Sequence, residues 1–522
     1  MTLTTSTRHG LALLILMPVT AFAAIPLAHC RQGDKTEAGV QGLTTPAEIA
    51  AGKATQGFNC NVDIVGQYQG EGASWQLTAW KNCAYFDQTL NANEAHPGTV
   101  VMDVSDPTNP KPTAWLNDNA MLDPWESLKV NPQRQLLAGA QKSGPGFTIY
   151  DIKTDCLHPT KVGEINIPGE FGHTGQWAPD GNTYYITPLL TTQTIVAIDT
   201  KDPAHPALIP CGAGTYGCGS NGFFTAPVPS DFGTARWHDL EFSKDGNTAF
   251  ISMLATGDPA VGNGLVILDV SDFQSRKPNP AYRVLGKLTW DDGSVGAQNA
   301  LPITVKGKPY VLFTDESGGP LSACSKGKSA AGFPRLIDVS DPSKPTTVSK
   351  LQLDIHDPAN CTAAATTPIT SPGTSSPFGF SCHYCNVDDV DDAKIAACEC
   401  FASGLRIFDI SDVTAPREIA YLKPPAQGTK SLPGSQYAGR AGATYVRNFD
   451  WATSKPSFPK DRGMTTGDLW TTFQDNGFAV VKISPNATAD IGGGCASVDA
   501  SLGGLLVFGV VEMLRRRKAR RS

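Results

Sequence analysis

Charge is scarce in this sequence. Only 17% of its 522 residues are Asp, Glu, Lys or Arg, and a formal net charge of −7 leaves no basic excess. Nucleic acid, which is held by dense Lys and Arg, finds no footing here as a partner. Long hydrophobic runs are missing too, since no apolar stretch reaches the ~20 residues of a stable membrane span. There is no G-x-S-x-G elbow, H-E-x-x-H pair, P-loop or dinucleotide fingerprint. No local spacing therefore nominates catalytic residues. What replaces charge is turn chemistry. The chain has 52 Gly and 39 Pro with 40% hydrophobic residues, a globular rather than a disordered composition.

The two ends read as targeting segments. Arg8 and His9 precede "LALLILMPVTAFA", whose small residues end at Ala23, so residues 1–23 form a secretory signal peptide. A second reading acylates Cys30 after "LAHC", although His29 stands where such signals want a small residue. Residues 24–58 are expected to be a flexible linker. At the other end, "GGGC" at 492–495 precedes the apolar "LGGLLVFGVVEML" and the basic "RRRKARRS". Over 485–522 this makes a Gly-rich hinge, a short hydrophobic segment containing Glu512, and an Arg-rich tail that stays cytoplasmic. One reading is a plain C-terminal membrane anchor. The other is cleavage near Cys495, because the order of glycines, Cys495, apolar run and arginines resembles the GlyGly-type sorting signals of Gram-negative bacteria. Both place the body outside the inner membrane, in the envelope, on the surface or released.

Between these ends one phrase recurs. "GTVVMDVSDP", "GLVILDVSD" and "GLRIFDISD" are apolar runs halted by an aspartate. Aligning on that residue gives Asp103, Asp151, Asp199, Asp269, Asp338 and Asp409, with Lys482 in a seventh copy, "GFAVVKI". The first intervals are 48 residues and the later ones about 70, so the later units carry insertions. Within a unit, short β-prone runs flank Asp-Gly turns, as in "NTYYIT" after "DG" at 180–181. Asp and Ser side chains bond nearby backbone amides, and proline removes a donor, so the strand ladder stops there. Four short antiparallel strands per repeat make propeller blades. The seventh unit lacks a fourth strand, while "VDIVGQYQG" at 62–70 stands unpaired before the first. The expected architecture is an all-β, seven-bladed β-propeller over 59–484, closed by an N-terminal strand.

The phrases "GLVILDVSD", "RLIDVSDPSKP" and "GLRIFDISDVTAP" resemble the LVIVD-repeat proteins, a bacterial and archaeal propeller family. The resemblance spans roughly 59–484 and implies fold more than biochemistry. The second unit, "IYDIKTDCLHP", and the seventh depart from the pattern.

Export makes disulfides the default for the 13 cysteines. In "SCHYCNVDDVDDAKIAACECF" a turn at Asp391–Asp392 sets Cys385 opposite Cys398, which predicts a bridge, although zinc ligation by these cysteines or free thiols are alternatives. Cys211 and Cys218 read as a loop disulfide. "DDVDDAK" lacks the glycine and terminal glutamate of a calcium loop and reads as a solvated turn.

Two functions fit. The first is a surface-anchored or secreted binding module whose long loops at 317–333 and 356–379 face an unknown protein, polysaccharide or small molecule. The alternative is a metal-dependent enzyme. His173, His238 and His383 fall at the start of the innermost strand of blades three, four and six, with Glu126 and Gln298 in neighbouring blades. All five are ligand-contact candidates. Three imidazoles and a carboxylate suit copper, zinc or iron if their ligand atoms converge within about 2 Å of one ion. Histidines near the channel of selenium-binding-type propellers supply an analogy at the level of fold. The competing reading leaves each histidine bonded beside its own strand.

Overall fold

The repeated aspartates stop their strands as the turn chemistry requires. Asp103 accepts the backbone N–H of Ser105 at 2.9 Å, and Asp151, Asp199, Asp269, Asp338 and Asp409 each accept the N–H two residues on. A computed structural model describes residues 24–88, 95–167, 172–189, 194–210, 224–225, 232–233, 235–254, 262–318, 321–366, 379–425, 469–474, 476–489 and 491. In it each of these six aspartates ends the third strand of an antiparallel sheet, and a seventh sheet, carrying Lys482 in that strand, completes the blades.

Blade one runs Leu77–Trp80, Cys83–Asp87, Thr99–Asp103, Lys111–Leu116 from the channel outward. Blade two opens at Lys129–Asn131, blade three at Thr174–Trp177, blade four at Arg236–Phe242, blade five at Ala297–Val305 and blade six at Cys385–Val387. Their middle strands are buried on both faces, and apolar clusters fill the wedges between neighbours. One such cluster joins Tyr85 and Val101 of blade one to Val130 and Leu137 of blade two. Because every blade packs on the next, an open ring would leave two wet faces.

Blade seven closes it. Gly477–Ile483 pairs on one side with Leu469–Phe473 and on the other with Val62–Tyr68, with Val62 opposite Ile483 and Tyr68 opposite Phe478. A glycine in some outer strands explains why the Asp-Pro phrase travels with the repeat. A Cβ on Gly66, Gly163 or Gly286 would lie about 2 Å from the carbonyl oxygen of Pro107, Pro203 or Pro342, the proline of the next blade's turn. The outer strand must lack a side chain there for the following turn to dock.

Residues 24–58 are not the flexible linker expected. Phe58–Cys60 adds a fifth strand to blade six, pairing with Arg417–Lys423, and Pro46–Ala50 is a short helix capped by Thr45 and Glu48. Glu37 is buried against Arg406 and Lys423, at 2.6 and 2.9 Å. Such contacts join residues hundreds of positions apart and leave no local pattern in the sequence.

Five disulfides occur among the described residues, consistent with an exported protein. Cys385 faces Cys398 in the ladder and is bonded to it, and Cys382–Cys400 is a second bridge across the same hairpin. Cys30 is bonded to Cys60, so its sulfur is not free for acylation. Cys324–Cys361 ties one long insertion to the other. Cys211, Cys218, Cys495, the signal segment and the tail beyond 491 lie outside the described residues. No helix among the described residues is long and apolar enough to cross a membrane. Non-reducing peptide mapping is expected to recover the Cys385–Cys398 and Cys382–Cys400 pairs, and free thiols at all four positions would contradict both.

Candidate metal centre

The innermost strands start at one mouth of the channel, and equivalent positions there carry different letters. Aligning those strands places Trp75, Glu126, His173, His238, Gln298 and His383 in blades one to six. Each sheet fixes one of them, so residues 308 positions apart in sequence become neighbours. A parallel bridge between Glu126 and Thr174 joins blades two and three at this level. All five ligand-contact candidates named from the sequence come together.

The ligand atoms of three of them lie close together. Nε2 of His173 and His238 lie 3.3 Å apart, and Glu126 Oε2 is 3.5 Å from the first and 3.8 Å from the second. Two ligands each about 2.1 Å from a tetrahedral ion stand roughly 3.4 Å apart. These three residues could hold one ion, their ligand atoms lying within 4.8 Å of one another, and the blade spacing is not too wide for them. His383 Nε2 lies 2.9 Å from the other carboxylate oxygen, Glu126 Oε1, and 3.0 Å from the Gln298 amide nitrogen. Glu126, His238, Gln298 and His383 are almost fully buried, while His173 keeps some contact with solvent.

The electrostatics keep the imidazoles available as lone-pair donors. Burial holds His173 and His383 well below the usual histidine range, helped at His173 by His238 and at His383 by Lys129. Burial also lowers His238, with Glu126 opposing it. The Glu126 carboxyl is pushed up by burial against the pull of His238. Glu126 Oε2, Gln298 Oε1 and the Nδ1 atoms of His238 and His383 are buried without a hydrogen-bond partner. Leaving buried polar atoms unpaired costs about 1–3 kcal/mol each.

Three residues at the mouth escaped the sequence reading. Glu316 follows the second strand of blade five, Lys308–Asp315, and reaches His238 at 3.8 Å and His383 at 3.7 Å. Trp75 tilts against Trp125 with ring centroids 4.7 Å apart and against His383 at 5.1 Å. Trp125 has φ +49°, a left-handed backbone that costs a tryptophan about 1–3 kcal/mol. It immediately precedes Glu126 and carries the Lys142 ammonium over its ring. Trp75 was visible in the register but apolar; Trp125 and Glu316 sit in loops, where the repeat gives no register. Farther along the same strands lies a cavity of about 1110 Å³, lined by Gln76, Lys129, Gln176, Glu241, Asn299 and Tyr384 among others.

The LVIVD repeat family matches residues 260–276 and 335–352. No curated protein matches the chain as a sequence relative. Among solved structures, the β-propeller domain of Cps50 (Swd1) from Myceliophteria thermophila is similar at 10% identity and TM-score 0.47, covering 80% of this chain and 98% of that one. A functionally unknown protein from Desulfotomaculum acetoxidans is similar at 14% identity and TM-score 0.42, covering 70% and 87%. A periplasmic gluconolactonase from Pseudomonas aeruginosa is similar at 11% and 0.39, covering 68% and 81%. The chain is a seven-bladed β-propeller that carries LVIVD repeats.

Proposed function

We propose that this is an exported propeller that binds a divalent transition-metal ion at its channel mouth and presents it to a ligand outside the cell. The convergence of Glu126 Oε2 with the Nε2 atoms of His173 and His238 supports this reading above all. Imidazole nitrogen with one carboxylate suits zinc, copper or iron and discriminates against calcium and magnesium, which prefer all-oxygen shells. Three protein ligands leave a coordination position for water or substrate, as catalytic sites require. The bound ion would act as a Lewis acid or lower the pKa of its water.

The binding-module reading is contained in the same site. Trp75 and Trp125 are half-buried at the rim, and Lys142 sits above Trp125, so an incoming molecule meets aromatic faces before the ion. Five disulfides fit a site outside the cytoplasm. The hinge, apolar run and arginines of the tail support retention in, or release from, a Gram-negative envelope.

Elemental analysis of the protein after exposure to zinc, copper and iron is expected to find stoichiometric metal. The His173→Ala, His238→Ala, His383→Ala triple variant is expected to lose it while keeping its far-ultraviolet spectrum. Wild-type protein that retains none of the three metals would overturn the proposal.

A further inference from the structure

Behind the metal-binding mouth the inner strands carry a second layer of side chains. Gln76, Asn299 and Tyr384 directly follow Trp75, Gln298 and His383, while Lys129, Gln176 and Glu241 stand three residues after Glu126, His173 and His238. All six are polar, and all six line the cavity of about 1110 Å³. A channel filled only to hold the blades together would carry apolar side chains there, as the inter-blade wedges do, because burying polar groups costs free energy unless they are paired. Here they hold one another in place. Lys129 Nζ donates to Gln76 Oε1 at 3.0 Å, and Gln176 Nε2 donates to Glu241 Oε2 at 2.9 Å. Asn299 Nδ2 donates to the buried Asp239 carboxylate at 2.9 Å. Two donors on lining residues, the Trp80 indole N–H and the Tyr384 hydroxyl, are buried without a hydrogen-bond partner.

The far rim is open to solvent, since Gln133, Lys244 and Asp391 are exposed there. Charge of one sign does not accumulate. Lys129 and Lys244 stand against Glu241, Asp389 and Asp391, and Lys244 is already paired with Asp391 at 2.7 Å. A strongly anionic or polycationic molecule finds no opposing field in such a lining. We infer that the channel is a second binding site, entered from the mouth opposite the metal centre, for a neutral polyhydroxylated molecule, a free mono- or disaccharide. Each sugar hydroxyl both donates and accepts, and a lining of carboxamides, carboxylate, ammonium and phenol answers in both senses. Trp80, Phe242 and Tyr384 add apolar surface for the C–H side of a sugar ring. Small-molecule pockets run to roughly 300–1,000 Å³, so the cavity has room for either size of ligand.

Calorimetric titration of the full-length protein tests this. The ligands are glucose, galactose, mannose, N-acetylglucosamine, cellobiose, maltose, lactose and chitobiose, with glucuronate and glucosamine as the anionic and cationic counterparts. At least one neutral sugar is expected to saturate a single site, and both charged counterparts to bind more weakly than it. Tyr384→Phe keeps the ring and removes only the hydroxyl, and should weaken that sugar about tenfold, the worth of one hydrogen bond. Gln176→Ala, at a half-buried position, should weaken it similarly, and both variants should melt within a few degrees of wild type and take up zinc as wild type does. Failure of every neutral sugar to saturate the protein would overturn the inference. So would tighter binding of glucuronate or glucosamine, or wild-type affinity in both variants. The site shares no residue with the Glu126, His173 and His238 group, so absence of metal would leave the sugar titration standing.

Discussion

A chain lacking residues 59–72 is expected to fail to fold cooperatively and to aggregate. The deletion removes Val62–Tyr68, so Gly477–Ile483 becomes an unpaired edge on the last blade. It also removes Cys60 and with it the bridge to Cys30, together with the fifth strand of blade six. The loss is comparable with the ~5–15 kcal/mol that holds a typical domain folded. Gly66→Val tests the same seam without shortening the chain. Its new Cβ would meet the Pro107 carbonyl oxygen at 2.1 Å, backbone rather than a movable side chain, and blade seven must draw away from blade one. A destabilisation of about 3 kcal/mol is expected. Urea unfolding followed by fluorescence reads both variants. A truncated protein that unfolds at the wild-type midpoint would show that the ring does not depend on this strand.

Arg406→Ala is expected to destabilise the protein by about 3–5 kcal/mol, because it strands two buried carboxylates. Arg406 is fully buried, bonded to Glu37 at 2.6 and 3.1 Å, to Glu418 at 3.1 Å and to the Ser403 carbonyl at 2.7 Å. Burial alone would push the Glu37 carboxyl up, but Arg406 and Lys423 outweigh it and bring it down to about 2 from 4.5. A carboxyl lowered on folding contributes stability that is fully present above its unfolded value and lost as pH falls. The window is therefore about pH 4.5 down to about 2, and the amount at stake is about 3 kcal/mol. In Arg406→Ala, Glu37 and Glu418 should bind protons readily once buried without the guanidinium. The stability difference between wild type and variant should thus be large at pH 7 and shrink across that window. A difference that stays constant from pH 6 to pH 3 would show that the arginine acts through packing alone.

The propeller was legible because its repeat carries its own punctuation. An aspartate that bonds the amide two residues on stops each third strand, and an Asp-Gly turn reverses the first hairpin in blades three and four, so blade count and strand order followed from spacing. The closing strand was legible by subtraction, one fourth strand too few at one end and one too many at the other. His173, His238 and His383 could be placed together because a propeller sets equivalent inner-strand positions at one mouth. What stayed hidden has no local signature. Glu37 finds Arg406 across 369 residues, and nothing in "TEAGV" marks it. Glu316 sits in a loop after the second strand, where insertions break the alignment of blades. Cys30, Cys83 and Cys324 have partners that spacing alone could not choose.

The annulus at the channel mouth separates folding from chemistry. Blades one to six each contribute one side chain at the same position, and the letters written there are Trp, Glu, His, His, Gln and His while the strand behind keeps one geometry. The apolar residues of the inter-blade wedges, such as Tyr85, Val101, Val130 and Leu137, are different residues from those of the annulus. The ring is thus a dial of interchangeable settings rather than a motif, and its chemistry belongs to the combination. A duplicated or exchanged blade brings its own letter with it. Chains with the same repeat grammar and a different annulus are expected to share this architecture and to handle different ligands.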